Sequence, residues 1–176
     1  MSKNISCKQK LLSRPTLVRK VAILKKQGKK IVMAGGFFDI LHPGHTRYLE
    51  KARNLGDVLI VAINSDESTR KNKGPKRPIN NEKTRAEILT ALESVNYVTI
   101  FNELTPKEII AEVKPDIWVK GGHYKKAEMP ETAIIKQYGG KVKILPFEKG
   151  FSVSGLVEKI IKQKPVKISK KEGFWR

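Results

Sequence analysis

A single cysteine, Cys7, occurs in 176 residues, so one chain can build neither a disulfide framework nor a cysteine-based metal centre. A reducing, cytoplasmic setting is expected. No apolar run reaches the ~18 residues that a membrane-crossing helix needs, and the basic N-terminal stretch is not followed by the apolar core of a signal peptide. No membrane association is expected either. Acidic residues are scarce, 17 against 36 Lys and Arg, which leaves a formal net charge of +19. The scarcity is uneven. Residues 1–30 hold ten Lys or Arg and no acid, and residues 162–176 hold six against Glu172 alone, whereas between them 20 basic residues face 16 acidic ones. The body of the chain therefore has an ordinary globular surface, and the excess sits in two tails expected to be solvated. Nucleic acid is not expected as a partner. Binding through the tails is the alternative from a different class, and it requires affinity that falls steeply with salt.

The length suits one domain with a real core. Three segments are expected: a basic leader over 1–14, a domain over 15–163 and a basic tail over 164–176. Thr16 can cap a helix through Gln27, with Leu17, Val18, Val21 and Leu24 on one face and Gly28 closing it. From Lys30 onward short apolar runs alternate with helical stretches. Strands are expected at Ile31–Ala34, Val58–Ile63, Tyr97–Phe101, Ile117–Val119 and Val142–Leu145, and helices at His45–Asn54, Glu82–Leu92, Pro106–Val113, Glu131–Tyr138 and Ser152–Ile161. Five βα units in series predict an α/β fold: a Rossmann-like, doubly wound, five-stranded parallel sheet with an extra N-terminal helix. Ligands of such sheets bind beyond the C-terminal strand ends, which directs the search to the loops after Ala34, Ile63, Val119 and Leu145.

The first loop reads Gly35-Gly36-Phe37-Phe38-Asp39-Ile40-Leu41-His42-Pro43-Gly44-His45. His42 and His45, three apart at a helix start, can face one anion together with the free helix N–H groups and the positive end of the dipole. Gly44 lets backbone approach a phosphate, and Gly35 and Gly36 remove side chains where a nucleotide would lie. No carboxylate or cysteine stands nearby as a third metal ligand. The second loop, Asn64 to Asn80, is long, basic and punctuated by Pro and Gly, and is expected to be a mobile lid. In the third, Lys120-Gly121-Gly122, paired glycines after a strand allow a nucleoside to lie on backbone, or simply make a turn. In the fourth, Ser152 and Ser154 open the last helix, where their hydroxyls can hold phosphate oxygens or act only as caps.

The Gly-x-Phe-Asp turn followed by His-x-Gly-His resembles the hallmark of the cytidylyltransferase-like nucleotidyltransferase superfamily. The resemblance covers about residues 15–163. It is strongest to a branch of heptose 1-phosphate adenylyltransferases, through Phe38-Asp39-Ile40-Leu41-His42, the Lys73-to-Asn80 segment, Thr105-Pro106 and Val119-Lys120-Gly121-Gly122. It implies transfer of AMP from ATP to a sugar 1-phosphate, with His42, His45 and Lys73 catalytic. It further implies that Gly35, Gly36, Phe37, Phe38, Gly44, Arg85, Lys120, Gly121, Gly122, Ser152 and Ser154 bind nucleotide, and that Asp39, Asp66 and His123 bind the acceptor. Read from the residues alone, Lys73 is also a solvated loop charge, Asp66 a turn cap and Arg85 half of a surface ion pair. Mg²⁺ is expected to bind mainly through the triphosphate, and a homodimer is expected. Three positions depart from the branch: Phe37 replaces Cys, His123 replaces Asp, and Ser152-Val153-Ser154 replaces Ser-Thr-Thr. Cytidylyl transfer to a polyol phosphate and a cofactor adenylyltransferase are the neighbouring readings.

Overall fold

The structure, a computed structural model, describes residues 6–122, 129–146, 148 and 150–163. Its elements follow in the order α1 (Cys7–Lys10), α2 (Arg14–Lys26), β1 (Ile31–Gly36), α3 (Pro43–Arg53), β2 (Val58–Asn64), α4 (Asp66–Lys73) and α5 (Glu82–Thr90). The second half adds β3 (Tyr97–Phe101), α6 (Lys107–Val113), β4 (Ile117–Gly121), α7 (Glu131–Gln137), β5 (Lys141–Leu145) and α8 (Val153–Lys162). All five strands are parallel, in the order β3-β2-β1-β4-β5. The chain moves outward from β1 to β3 and then returns to lay β4 on the other side of β1. The topological switch, where ligands of such sheets bind, falls between β1 and β4.

The central strands are apolar on both faces because helices cover both. Ile31, Met33, Ile60 and Trp118 pack with Leu17 and Val21 of α2, Ile109 and Ile110 of α6 and Ile135 of α7. The alternate residues Val32, Ala34, Leu59, Val61 and Val119 pack with Leu49 and Ala52 of α3 and Ala86 and Leu89 of α5. With period-two alternation in a strand, this division fixes the register, since a slip by one residue would exchange the two cores.

The five strands and the βα alternation agree with the sequence expectation. Three local differences have identifiable causes. The first long helix begins at Arg14 rather than Thr16, with Ser13 as N-cap and Pro15 in its first turn, where proline is preorganised. Residues 6–12, assigned to a solvated leader, include α1 and a parallel bridge between Leu11 and Val98, with Leu12 N–H donating to Val98 O at 2.9 Å. The open edge of β3 carries unpaired backbone groups, and this segment covers part of it. Lastly, half of the expected lid is helix. Ser65 caps α4 by accepting from Ser68 N–H, acids occupy the first turn and bases the last, so capping and dipole chemistry stabilise a helix that has almost no apolar stripe. Residues 1–5, His123 and the tail over 164–176 lie outside the described residues.

Candidate active site

The four loops singled out in the sequence meet in one cleft of about 570 Å³ beyond the C-terminal strand ends. Gly35 to Asp39, His42, Gly44 and His45 come from the end of β1, the loop after it and the start of α3; Thr69, Lys73 and Arg77 from α4 and the loop beyond it; Lys120 and Gly121 from the end of β4; and Glu148 and Phe151 to Ser154 from the β5–α8 connection and the start of α8. Thirteen of the seventeen expected site residues line this cleft. Arg85, Asp66 and Gly122 do not, and His123 lies outside the described residues.

Pro43 and Gly44 begin α3, with His42 in extended conformation at its N-cap and without a side-chain cap hydrogen bond. The two imidazoles stack, with centroids 3.8 Å apart and planes 16° from parallel. Phe38 packs against His45 at 5.2 Å and Phe151 against His42 at 6.1 Å. Among the described residues neither Nδ1 has a hydrogen-bond partner. Burial holds both imidazoles below the ordinary histidine range. For His45, burial and then the neighbouring His42 lower the value to about 4. Two imidazoles whose Nδ1 atoms have no hydrogen-bond partner among the described residues thus stand at the start of α3, where the positive end of the helix dipole favours an anion.

The glycines are constrained by packing as well as by any ligand. A Cβ on Gly35 would stand 2.5 Å from Cη2 of Trp118, and one on Gly36 would stand 2.9 Å from Cε2 of Phe38. Phe38 itself adopts φ 47°, a strained conformation for a bulky residue. It is nevertheless buried against both Gly36 and His45. At Gly44 a Cβ would come within 3.1 Å of His42 and of Phe151.

Asp39, expected to meet the acceptor, has internal partners. Its carboxylate accepts the N–H groups of Ile79 at 2.8 Å and Asn80 at 2.9 Å, and Nη1 of Arg77 at 3.0 Å. Asn80 Nδ2 returns a hydrogen bond to Asp39 O. The lower part of the expected lid is thereby fastened to the β1 loop. Arg85 is buried rather than on the surface, and it donates to Phe37 O, Asn80 O and Asp66 Oδ1. It joins the same two loops from beneath, and Asp66 opens onto a separate shallow depression beside Glu82 and Asn102.

The remaining cations of the cleft are differently held. Lys73 Nζ lies 4.9 Å from the centroid of Phe37, a cation–π contact. Lys120 pairs at 3.0 Å with Glu131, which is 2% exposed. Gly122 N–H donates to Leu145 O and extends the β4–β5 pairing. Ser152 caps α8 by accepting from Gly155 N–H. Tyr48, Arg77, Glu148 and Phe151 were not singled out from the sequence. Tyr48 donates to Val119 O from α3, while Glu148 pairs with Lys51 at 2.6 Å and Arg47 at 3.6 Å. Arg77 falls in the Lys73-to-Asn80 segment and Phe151 in the loop that opens the last helix, whereas Tyr48 and Glu148 had no signal in the sequence.

Fold and cleft together define a Rossmann-like, doubly wound nucleotide-site architecture. The chain belongs to the cytidylyltransferase-like family, whose model matches residues 33–165. It is 50% identical over 150 residues to the bifunctional protein HldE of Pasteurella multocida (strain Pm70), covering 85% of this chain and 32% of that protein. The HldE protein of Haemophilus influenzae (strain PittEE) is 49% identical over the same length. The chain thus spans about a third of these relatives. Among solved structures, the lipopolysaccharide core biosynthesis protein from Thermoplasma volcanium GSS1 is 37% identical, with a TM-score of 0.59 over 70% of this chain and 100% of that one. Pantoate-beta-alanine ligase from Francisella tularensis, solved with an ATP analogue and beta-alanine, shares the fold at 18% identity and a TM-score of 0.55, covering 88% of this chain and 79% of that one.

Proposed function

We propose that the chain transfers AMP from ATP to a sugar 1-phosphate, D-glycero-β-D-manno-heptose 1-phosphate, with release of pyrophosphate. The observation that carries this reading is the stacked His42–His45 pair, neither Nδ1 with a hydrogen-bond partner among the described residues, at the start of α3 in a cleft built by four strand-end loops. Support for the acceptor comes from the resemblance of the segments at 38–42, 73–80, 105–106 and 119–122 to the heptose branch, and from the similarity to HldE and to a lipopolysaccharide core biosynthesis protein.

In this reading an oxygen of the acceptor phosphate attacks the α-phosphorus of ATP, the bond from that phosphorus to the bridging oxygen breaks, and pyrophosphate leaves with the electron pair. Negative charge grows on the α-phosphate oxygens and the bridging oxygen. His42, His45 and the Gly44 N–H at the start of α3 supply donors there, already oriented before the reaction. Lys73 neutralises the leaving phosphates. Gly35, Gly36 and Gly121 leave backbone surface for the nucleoside, and Ser152 and Ser154 offer hydroxyls beside it. Among the described residues no cluster of three His, Cys, Asp or Glu is placed to hold a metal ion. Mg²⁺ would be carried on the triphosphate, where it would supply charge neutralisation.

A homodimer and a cytoplasmic setting belong to the same proposal. Among the described residues no helix is long and apolar enough to cross a membrane. Ile160 and Ile161 of α8, 64% and 76% exposed, supply apolar surface for association, and sedimentation of the full chain measures its state. The activity is tested by pyrophosphate release from ATP, CTP, GTP and UTP, each against heptose 1-phosphate and a panel of sugar and polyol phosphates. The ATP and heptose pair is expected to lead. Turnover confined to CTP with a polyol phosphate would replace this reading with the cytidylyltransferase one.

A further inference from the structure

Arg77 is the cleft cation for which neither sequence nor resemblance supplies a role, and its surroundings are unusual for a loop arginine. Its side chain is 22% exposed and lines the cleft. Among the described residues the guanidinium has one hydrogen-bond partner, Asp39 Oδ2, reached through Nη1 at 3.0 Å. That carboxylate does not need the arginine in order to be satisfied, because Oδ1 already accepts two backbone N–H groups and Oδ2 also receives Ile79 N–H at 3.0 Å. Asp39 is 6% exposed, and Asn80 further ties its backbone. The arginine is therefore attached to a rigid anchor by one corner of its fork, with its other donors uncommitted.

A guanidinium presents its donors in a planar fork that matches two phosphate oxygens, and a fixed fork loses less conformational freedom on binding than a free one. The neighbouring charges favour an anion at this place. Lys73 stands on the same side of the cleft, at the end of α4. The acidic group of the β5 loop, Glu148, is already paired with Lys51 and Arg47. Nucleotidyl transfer brings a triphosphate and an acceptor phosphate into one cleft, and their mutual repulsion needs cations placed before either arrives.

We propose that Arg77 is a phosphate-binding residue of the cleft and that Asp39 is the positioning residue that holds its guanidinium in place. The inference rests on the nucleotidyl-transfer reading for its ligand class. The phosphate can be that of the donor triphosphate or of the acceptor, and separate titrations decide which.

The test is calorimetric titration of the full chain and its variants with ATP, with D-glycero-β-D-manno-heptose 1-phosphate and with inorganic pyrophosphate, accompanied by thermal melts. Arg77→Ala is expected to weaken one class by about tenfold or more, the effect of losing a charge-assisted contact. Weakened ATP and pyrophosphate assign Arg77 to the donor, and weakened heptose 1-phosphate alone assigns it to the acceptor. Free guanidinium ion should restore part of the loss, and Arg77→Lys should recover less than full affinity. In Asp39→Asn the amide oxygen keeps Ile79 and Asn80 while the amide nitrogen can no longer accept from Arg77. It should weaken the same ligand by a smaller factor, and the double variant should be no weaker than Arg77→Ala alone. The proposal is overturned by wild-type affinity for all three ligands in Arg77→Ala. Losses that track a lowered melting temperature with no guanidinium rescue also overturn it, and an additive double variant removes the positioning role of Asp39. If the wild type binds ATP but releases no pyrophosphate with any acceptor, the function reading fails while the binding result on Arg77 stands. A wild type that binds none of the three overturns both.

Discussion

The indole of Trp118 lies directly beneath Gly35, so that a single added methyl group there would sit 2.5 Å from Cη2 of the ring. Trp118 is fully buried in β4 and Gly35 is the penultimate residue of β1, so the contact spans the topological switch and sets the floor of the cleft. Gly35→Ala is expected to lower stability by about 1–3 kcal/mol, the usual result of overpacking, and to weaken nucleotide binding. Adding Trp118→Phe, which shortens the ring, should return part of the stability. Equal denaturation midpoints for Gly35→Ala and wild type would show that the floor yields at no cost.

His42 and His45 are expected to act as donors at the reacting phosphate. Replacing either by alanine should lower kcat by roughly 10² or more, the effect of removing one preorganised donor, with the melting temperature little changed. Single-turnover kinetics separates this from slowed product release. Unaltered kcat in both folded variants would remove the pair from the chemistry.

The same histidines make stability depend on pH. With its folded value lowered from 6.5 to about 4, His45 is neutral in the folded state and protonated in the unfolded one between those limits. The unfolded chain then binds more protons, so stability is present above pH 6.5 and is lost as pH falls toward 4. His42 is shifted in the same direction by burial. Denaturant midpoints measured across this window should fall with pH in the wild type and fall less steeply in His45→Asn. A phosphate bound beside the rings favours their charged form, so ATP should raise the His45 titration midpoint followed by NMR.

Lys73 rests on Phe37, with Nζ 4.9 Å from the ring centroid. Lys73→Ala should raise the KM for ATP and lower kcat together, because its charge acts on the leaving phosphates. Phe37→Leu, which removes only the aromatic face, should change both far less. Identical steady-state constants for Lys73→Ala and wild type would return the lysine to the role of a surface charge.

Much of this architecture was written locally. Continuous apolar runs bounded by Gly, Asn and Asp defined the five strands, and the 3.6-residue spacing between them defined the covering helices. The helix over Asp66–Lys73 escaped because its sequence, Asp-Glu-Ser-Thr-Arg-Lys-Asn-Lys, has no apolar periodicity. Its signals were the Ser65 cap and a charge gradient matching the helix dipole, and those weigh little until packing on Ser68 and Thr69 is added.

By itself the sequence determined the class of sheet, the places where loops leave it and the helix start at the His-Pro-Gly-His turn, because each is a property of neighbouring residues. Only the tertiary structure decided what the individual polar groups do. Asp39 and Arg77 are 38 positions apart, and Arg85 and Phe37 are 48 apart, so their partnerships depend on how β1 and β2 are laid side by side. That placement gave Asp39, expected at the acceptor, internal partners within the cleft lining, and made Arg85, expected at the nucleotide, a buried brace between two loops. It also put Arg77 in the cleft wall. Hydrophobic pattern specifies which elements form, whereas the burial of a charge and the partner that compensates it are set only when distant loops meet.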